Sequence, residues 1–396
     1  MPEESGPSKT HDIKTSILFK DFGQALFFLY EPIIFYNFLG KRIELVLLYY
    51  GLQILLYALC VSDGAKIMSK IGIKKSMIFA TFFLILYNAV LLYFSKQNLT
   101  INSAPLNSVI WFGLLAIICT IYQMLYWPSF YTDISLFMKN EQSGRDIGKI
   151  YFFMEITYII APIIGGFILV KFGIITLLIF SSIITSLSVI PLFKGENQKP
   201  SIILNFKQII RELFNKDKIT YLLPFYAEGI SECINNIFWG LFVYLIVGNI
   251  MELGFLSSGV ALFTAAFVLI IGRIIDKYRN SHNKILRVGV ITSSVGWLLK
   301  GLPVSTILFF VFDNIQKFGN SIVRVPFEKT MYKRFKYKLN LADEYVVLRE
   351  VAYSISGGLS LILLAFIIWK FNFTYAAFII ASISTTIYLL MKKESN

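Results

Sequence analysis

Charge is scarce in this chain. Of its 396 residues only 15% are Asp, Glu, Lys or Arg, while 56% are hydrophobic. A soluble domain carries about 25% charged and roughly 45–50% apolar residues. The deficit excludes an ordinary water-facing surface, which needs polar cover. Histidine is nearly absent: His11 and His282 both stand outside the apolar runs. The cysteines Cys60, Cys119 and Cys233 form no CxxC and no Cys/His cluster, so neither a disulfide framework nor a structural zinc site is expected. No Gly-x-Ser-x-Gly elbow, Walker loop or metal-ligand set occurs. Their lack argues against an enzyme and against an ATP-driven pump, and no cofactor is expected. The opening "MPEESGPSKTHDIK" has no short apolar core behind a basic start and reads as a cytoplasmic tail, not a cleavable signal peptide.

What is present is apolar length. A helix needs about 20 mostly apolar residues to cross a bilayer. Twelve such stretches occur: 18–39, 43–62, 76–95, 108–138, 147–170, 173–193, 219–247, 256–275, 285–302, 304–323, 345–369 and 373–391. They are continuous, whereas membrane β-strands alternate polar and apolar residues over about ten positions. The expectation is an all-α polytopic membrane protein of twelve spans.

The net charge of +13 would suggest nucleic acid in a soluble protein. Here the basic residues lie between apolar spans, where they act as orientation signals and contacts for anionic lipid, so no nucleic acid is expected. With the N-terminus inside, 29 of the 37 Lys and Arg fall in the tail and on the inner side, six on the outer side, and Lys317 and Arg349 within spans. Lys20 counts with the tail and Lys300 with the outer loops. Both termini are therefore expected in the cytoplasm. The expected division is a tail (1–17), a first six-helix bundle (18–193), a linker (194–218), a second bundle (219–391) and a short tail (392–396). In the linker Ile202, Ile203, Phe206, Ile209, Ile210 and Leu213 recur at helical spacing between charges, which predicts an amphipathic helix on the membrane surface.

The halves echo each other. "FLYEPI" and "FYAEGI" place Glu31 on Glu228, Pro128 answers Pro326, and Glu155 answers Glu350, at offsets of 197, 198 and 195 residues. Near-equal offsets in corresponding helices indicate a duplicated six-helix unit, the plan of many secondary transporters.

Three motifs sharpen this. "GRIIDKY" (272–278) resembles the loop motif of the major facilitator superfamily, with Gly272, Asp276, Lys277 and Tyr278 in place and Arg279 where a glycine is usual. "GAKIMSKIGIKKSM" (64–77) keeps Lys70, Gly72, Lys74 and Lys75 but has Ser69 at the acidic position. "APIIGGFI" (161–168) is similar to the span-5 pattern of that superfamily's drug exporters, with Ala161 for the first glycine. The resemblance covers the whole chain in topology and short segments in motif.

It implies two pseudo-symmetric six-helix bundles that rock about a central site, with spans 1, 4, 7 and 10 lining the cavity. Glu31, Glu228, Glu232, Asn235, Asn236, Asp313 and Lys317 would then stand on the substrate path. Intramembrane carboxylates are costly unless they face water or a partner. With no histidine in the spans, proton coupling would fall to them; the plainer alternative is internal pairing, such as Asp313 with Lys317. Asp276 would approach the start of span 5 near Gly144 and Arg145 as a latch, since a helix N-terminus favours a carboxylate; alternatively it only offsets Arg273, Lys277 and Arg279. Glu155 and Glu350 would join a gate with Arg145 or Arg324, or form an interfacial salt bridge. Pro162, Gly165 and Gly166 allow a kink and close packing. The acidic excess favours a neutral or cationic substrate, and the exporter-like motif favours efflux of a lipophilic or cationic compound. Uptake of a neutral metabolite such as a sugar or nucleoside, and a sensor or lipid-handling role on the same fold, remain the alternatives. The expected setting is a monomer in the plasma membrane, working with a small-molecule substrate, protons and the bilayer.

Overall fold

In the computed structural model the described residues are 8–97, 101–137, 143–194, 197–200, 206–277, 282–302, 305–337 and 342–390, and those in regular structure are helical. In lipid every backbone N–H and C=O needs a partner within the chain, which a helix supplies from its own residues. Hydroxyls embedded in these helices follow the same logic. Thr81, Ser95, Ser129, Ser182 and Thr264 each donate to the carbonyl four residues earlier.

The elements are α1 (Ser8–Phe28), α2 (Glu31–Phe38), α3 (Ile43–Ile71), α4 (Ile73–Lys96), α5 (Pro105–Phe137), α6 (Ser143–Leu187) and α7 (Val189–Leu192) in the first half. A short α8 (Phe206–Leu213) follows. The second half has α9 (Lys216–Cys233), a π-helix (Ile234–Trp239), α10 (Gly240–Val247), α11 (Ile250–Lys277), α12 (His282–Lys300), α13 (Thr306–Tyr337), α14 (Ala342–Phe371), α15 (Ala376–Thr386) and a closing 3-10 turn (Ile387–Leu390).

The described part of each of the apolar stretches is mostly helical. Among the described residues, seven stretches are long and apolar enough to cross a membrane: 43–71, 73–96, 105–134, 154–192, 222–247, 250–268 and 345–371. Three of the expected spans absent from that set have a visible cause. The stretch 154–192 is two legs, because Gly173 at φ 80°, ψ 174° turns the chain inside α6. That φ suits glycine and strains other residues. The first span is divided between α1 and α2 at Tyr30, and the last is a short apolar helix, 376–390. In α8, Ile209 and Leu213 are buried in the core with Leu348 and Val351 of α14 while Lys207 is exposed, so one face is turned to the protein.

The two most extensive contacts between the halves run along α3 and α14 and along α6 and α11. Glycines make both close. Gly51 lies against the Gly358 carbonyl where α3 and α14 cross, and Gly254 lies against the Pro162 carbonyl where α11 meets α6. Within the halves α1 packs on α6, α4 and α3 on α5, α12 on α13, and α9 on α14.

Candidate functional site

Among the described residues, three buried polar clusters gather most of the expected site residues. The first sits at the break in span 1. Glu31 opens α2 with Pro32 behind it, where a proline's missing N–H costs nothing. The carboxylate is 7% exposed and accepts a hydrogen bond from Tyr87 of α4. Among the described residues no cation forms an ion pair with it. Around it Phe35 packs edge-on against Tyr49 and Phe112 and stacks on Tyr50. Tyr30 donates to the Pro162 carbonyl of α6 and sits between Gly166 and Gly254, so one side chain joins α6 and α11. Gly165 lets the Leu26 carbonyl approach; a Cβ there would overlap that oxygen.

The second cluster forms around the π-helix. A π-turn adds a residue to the helix and re-aims the side chains on it, and such turns concentrate at functional sites. Here Trp239 donates from Nε1 to Asp313 Oδ2 at 3.0 Å. The fully buried Lys300 reaches Asp313 Oδ1 at 2.8 Å and Asn235 Oδ1 at 3.1 Å. Its Nζ is also 4.2 Å from the Trp239 ring centroid and 4.3 Å from that of Trp297. Asn235 donates to Asn236 at 3.3 Å. Glu232 and Lys317, both half-buried, lie within electrostatic reach of Lys300. The partner of Asp313 is thus Lys300, and the pairing with Lys317 suggested by their spacing of four residues is not formed. Lys300, expected in an outer loop, is the last residue of α12, and its long stem carries the charge back under the helix end. A Trp three residues before a terminal Lys, as in Trp297 and Lys300, is the local sign that could have marked it.

The third cluster spans the halves. Arg349 of α14 lies 3.6 Å from Glu228 of α9 and 3.1 Å from its neighbour Glu350, and its guanidinium carbon is 3.9 Å from the centroid of Tyr131 on α5. Tyr57 of α3 donates to Glu350 at 2.7 Å. So Glu350 is held by Arg349 and by a tyrosine of the other half. Glu155 and Arg324 both lie within electrostatic reach of Tyr158.

A further buried cation is Lys20, expected in the tail. It pairs with Asp21 at 3.1 Å and lies 4.0 Å from the Tyr126 centroid and 4.8 Å from that of Trp127. At the loop between α3 and α4, Gly72 (φ 96°) is covered by the Asn197 side chain. Asn197 accepts from the Lys74 and Lys75 N–H groups and donates to the Ile71 carbonyl. Lys70 ends α3. Tyr278 lies outside the described residues, as do the side chains of Asp276, Lys277 and Arg145; Gly272 is described only as part of α11. Among the described residues no group of three or more His, Cys, Asp or Glu is arranged to hold a metal ion.

A helical chain of this plan, with a broken first span, a π-turn in the first span of the second half and paired charges inside, has the build of a membrane carrier. The sequence matches the model of the Major Facilitator Superfamily over residues 18–327, and the chain belongs to that family. It is an integral, multi-pass membrane transporter of a small molecule and not an enzyme. Among solved structures it is similar to the human organic anion transporter MFSD10 (TETRAN), with a TM-score of 0.67 and 10% identity over 98% of this chain and 100% of that one. At that identity the likeness speaks to fold alone. Among curated proteins none matches the sequence.

Proposed function

We propose that this protein is a proton-coupled secondary transporter that exports a lipophilic or cationic small molecule from the cell. In this reading twelve spans form two six-helix bundles, with both termini in the cytoplasm, and a monomer in the plasma membrane alternates access by rocking them. Glu31 is the proton-binding group, and the observation that carries the proposal is its setting. It is buried at a helix break, with a tyrosine hydroxyl as donor and no cation paired to it among the described residues. Holding an ionised carboxylate in such a place costs several kcal/mol, and taking up a proton removes that cost.

The substrate class follows from the balance of buried charge. Lys20 is matched by Asp21 and Lys300 by Asp313, while Arg349 faces two carboxylates and Glu31 pairs with no cation among the described residues. The balance of these groups is negative, which suits a cation better than an anion. Glu228, Asn235, Asn236 and Lys317 complete the substrate path in this reading. Glu155, Glu350 and Arg145 act in the gate, the Lys70–Gly72 loop and Gly272–Tyr278 carry the latch, and Pro162, Gly165 and Gly166 set helix packing.

The test is flux in proteoliposomes with ethidium as the cation. Wild-type protein should accumulate it when a pH gradient is imposed. Glu31→Gln should lose gradient-driven accumulation yet keep exchange of labelled for unlabelled ethidium. Accumulation undiminished in Glu31→Gln would remove that residue from the coupling step.

A further inference from the structure

The cluster at the π-helix has the chemistry of an ammonium-recognition site, and its occupant is the protein's own Lys300. Three features make it one. Asp313 supplies a charge-assisted acceptor at 2.8 Å. Two indole faces, Trp239 and Trp297, flank the Nζ at 4.2 and 4.3 Å, the geometry in which cations are held over aromatic rings. The amide oxygen of Asn235, placed by the π-turn, accepts a further N–H at 3.1 Å. A second observation points outward from the pair. The Trp297 Nε1–H is buried with no hydrogen-bond partner among the described residues, and Trp297 itself is 1% exposed. Buried N–H groups are rarely left so.

We infer that Lys300 is a tethered surrogate for the substrate, and that the transported compound is an organic amine whose ammonium takes the place of the Lys300 ammonium on Asp313. The inference deepens the cation reading above and rests on it. On binding, the substrate N–H groups replace those of Lys300 at Asp313 and Asn235, and its apolar part lies along the indoles. The displaced Lys300 has Glu232 within electrostatic reach to receive it. When substrate leaves, Lys300 returns, so Asp313 is never stranded without a cation. A tether raises the local concentration of a competing group to the millimolar range or above. Lys300 therefore sets a threshold: only amines that also gain from the aromatic walls displace it.

The experiment measures binding to the full chain in detergent, with phenethylammonium as probe and neutral 2-phenylethanol as its isosteric control. Readouts are tryptophan fluorescence and melting temperature, with no gradient and no flux, so failure here and failure of proton coupling through Glu31 are separable. In wild-type protein, phenethylammonium should raise the melting temperature more than 2-phenylethanol. Lys300→Met removes the internal competitor and should bind phenethylammonium at least tenfold more tightly than wild type. The charge-neutral Lys300→Met/Asp313→Asn protein leaves neither member of the pair stranded and should bind both probes equally. Recovery of Lys300→Met only when phenethylammonium is present during purification would also support the inference. Three results would overturn it: equal responses of wild-type protein to the two probes, binding by Lys300→Met no tighter than by wild type, or an ammonium preference that survives in the double variant.

Discussion

Replacing Arg349 with Met tests the cluster that joins the halves. The guanidinium is 9% exposed and faces Glu350 at 3.1 Å and Glu228 at 3.6 Å, with Tyr131 stacked at 3.9 Å. Met fills similar space and removes only the charge and the hydrogen-bonding fork. Glu350 then loses its cation and keeps only the Tyr57 hydroxyl, and Glu228 loses the guanidinium. Breaking a buried pair by deleting one partner costs roughly 3–5 kcal/mol, far more than the pair's net worth, because an uncompensated charge remains. That is about two to three and a half orders of magnitude in the folding equilibrium. Loss of the aromatic contact adds about 1–2 kcal/mol. Removing Glu350 as well takes away one stranded charge, so Arg349→Met/Glu350→Gln should be less destabilised than the sum of its single variants. The assay is a double-mutant cycle on denaturation in mixed micelles, followed by tryptophan fluorescence. A cost below about 1 kcal/mol for Arg349→Met would refute the reasoning. So would strict additivity in the cycle, since both describe a solvated, uncoupled surface charge. Tyr57 and Tyr131 belong to the other half, so a change in cysteine accessibility between the halves should accompany the loss.

Two other outcomes follow. Asn197→Ala removes a side chain that bonds the start of α4 at 3.0 and 3.4 Å and closes on the Ile71 carbonyl at 2.6 Å; a lost cap costs about 0.5–2 kcal/mol, and limited proteolysis should cut the connecting segment faster while flux changes little. Asp276→Asn should impair transport or shift the conformational balance, with Ser69→Ala nearly silent; flux and cysteine accessibility untouched by Asp276→Asn would leave only charge balance for that residue.

How far the molecule could be read in advance depended on whether the property was local. Helical spans were legible because hydropathy is summed over neighbours in sequence, and lipid leaves the backbone few alternatives to a helix. Pro32 after Glu31 and Gly173 inside α6 are local residues whose meaning as a break and a turn the structure supplies. The π-turn at 234–239 left no such trace: nothing in "INNIFW" distinguishes it from an ordinary helical run. Lys20 and Lys300 were placed with the tail and a loop because each stands near the edge of an apolar run. Their burial depends on residues far along the chain, Tyr126 and Trp127 for one, Asp313 and Trp239 for the other.

Composition and hydropathy alone thus determined that the chain is helical and lives in a membrane, and short motifs pointed to its family. Which charges are neutralised was decided by tertiary structure. Tyr57 meets Glu350 across 293 residues of sequence, and Glu31 meets Tyr87 but no cation among the described residues. The cost of a buried charge depends on what surrounds it within a few ångströms, and in a chain that folds back on itself many times those neighbours are seldom neighbours in sequence.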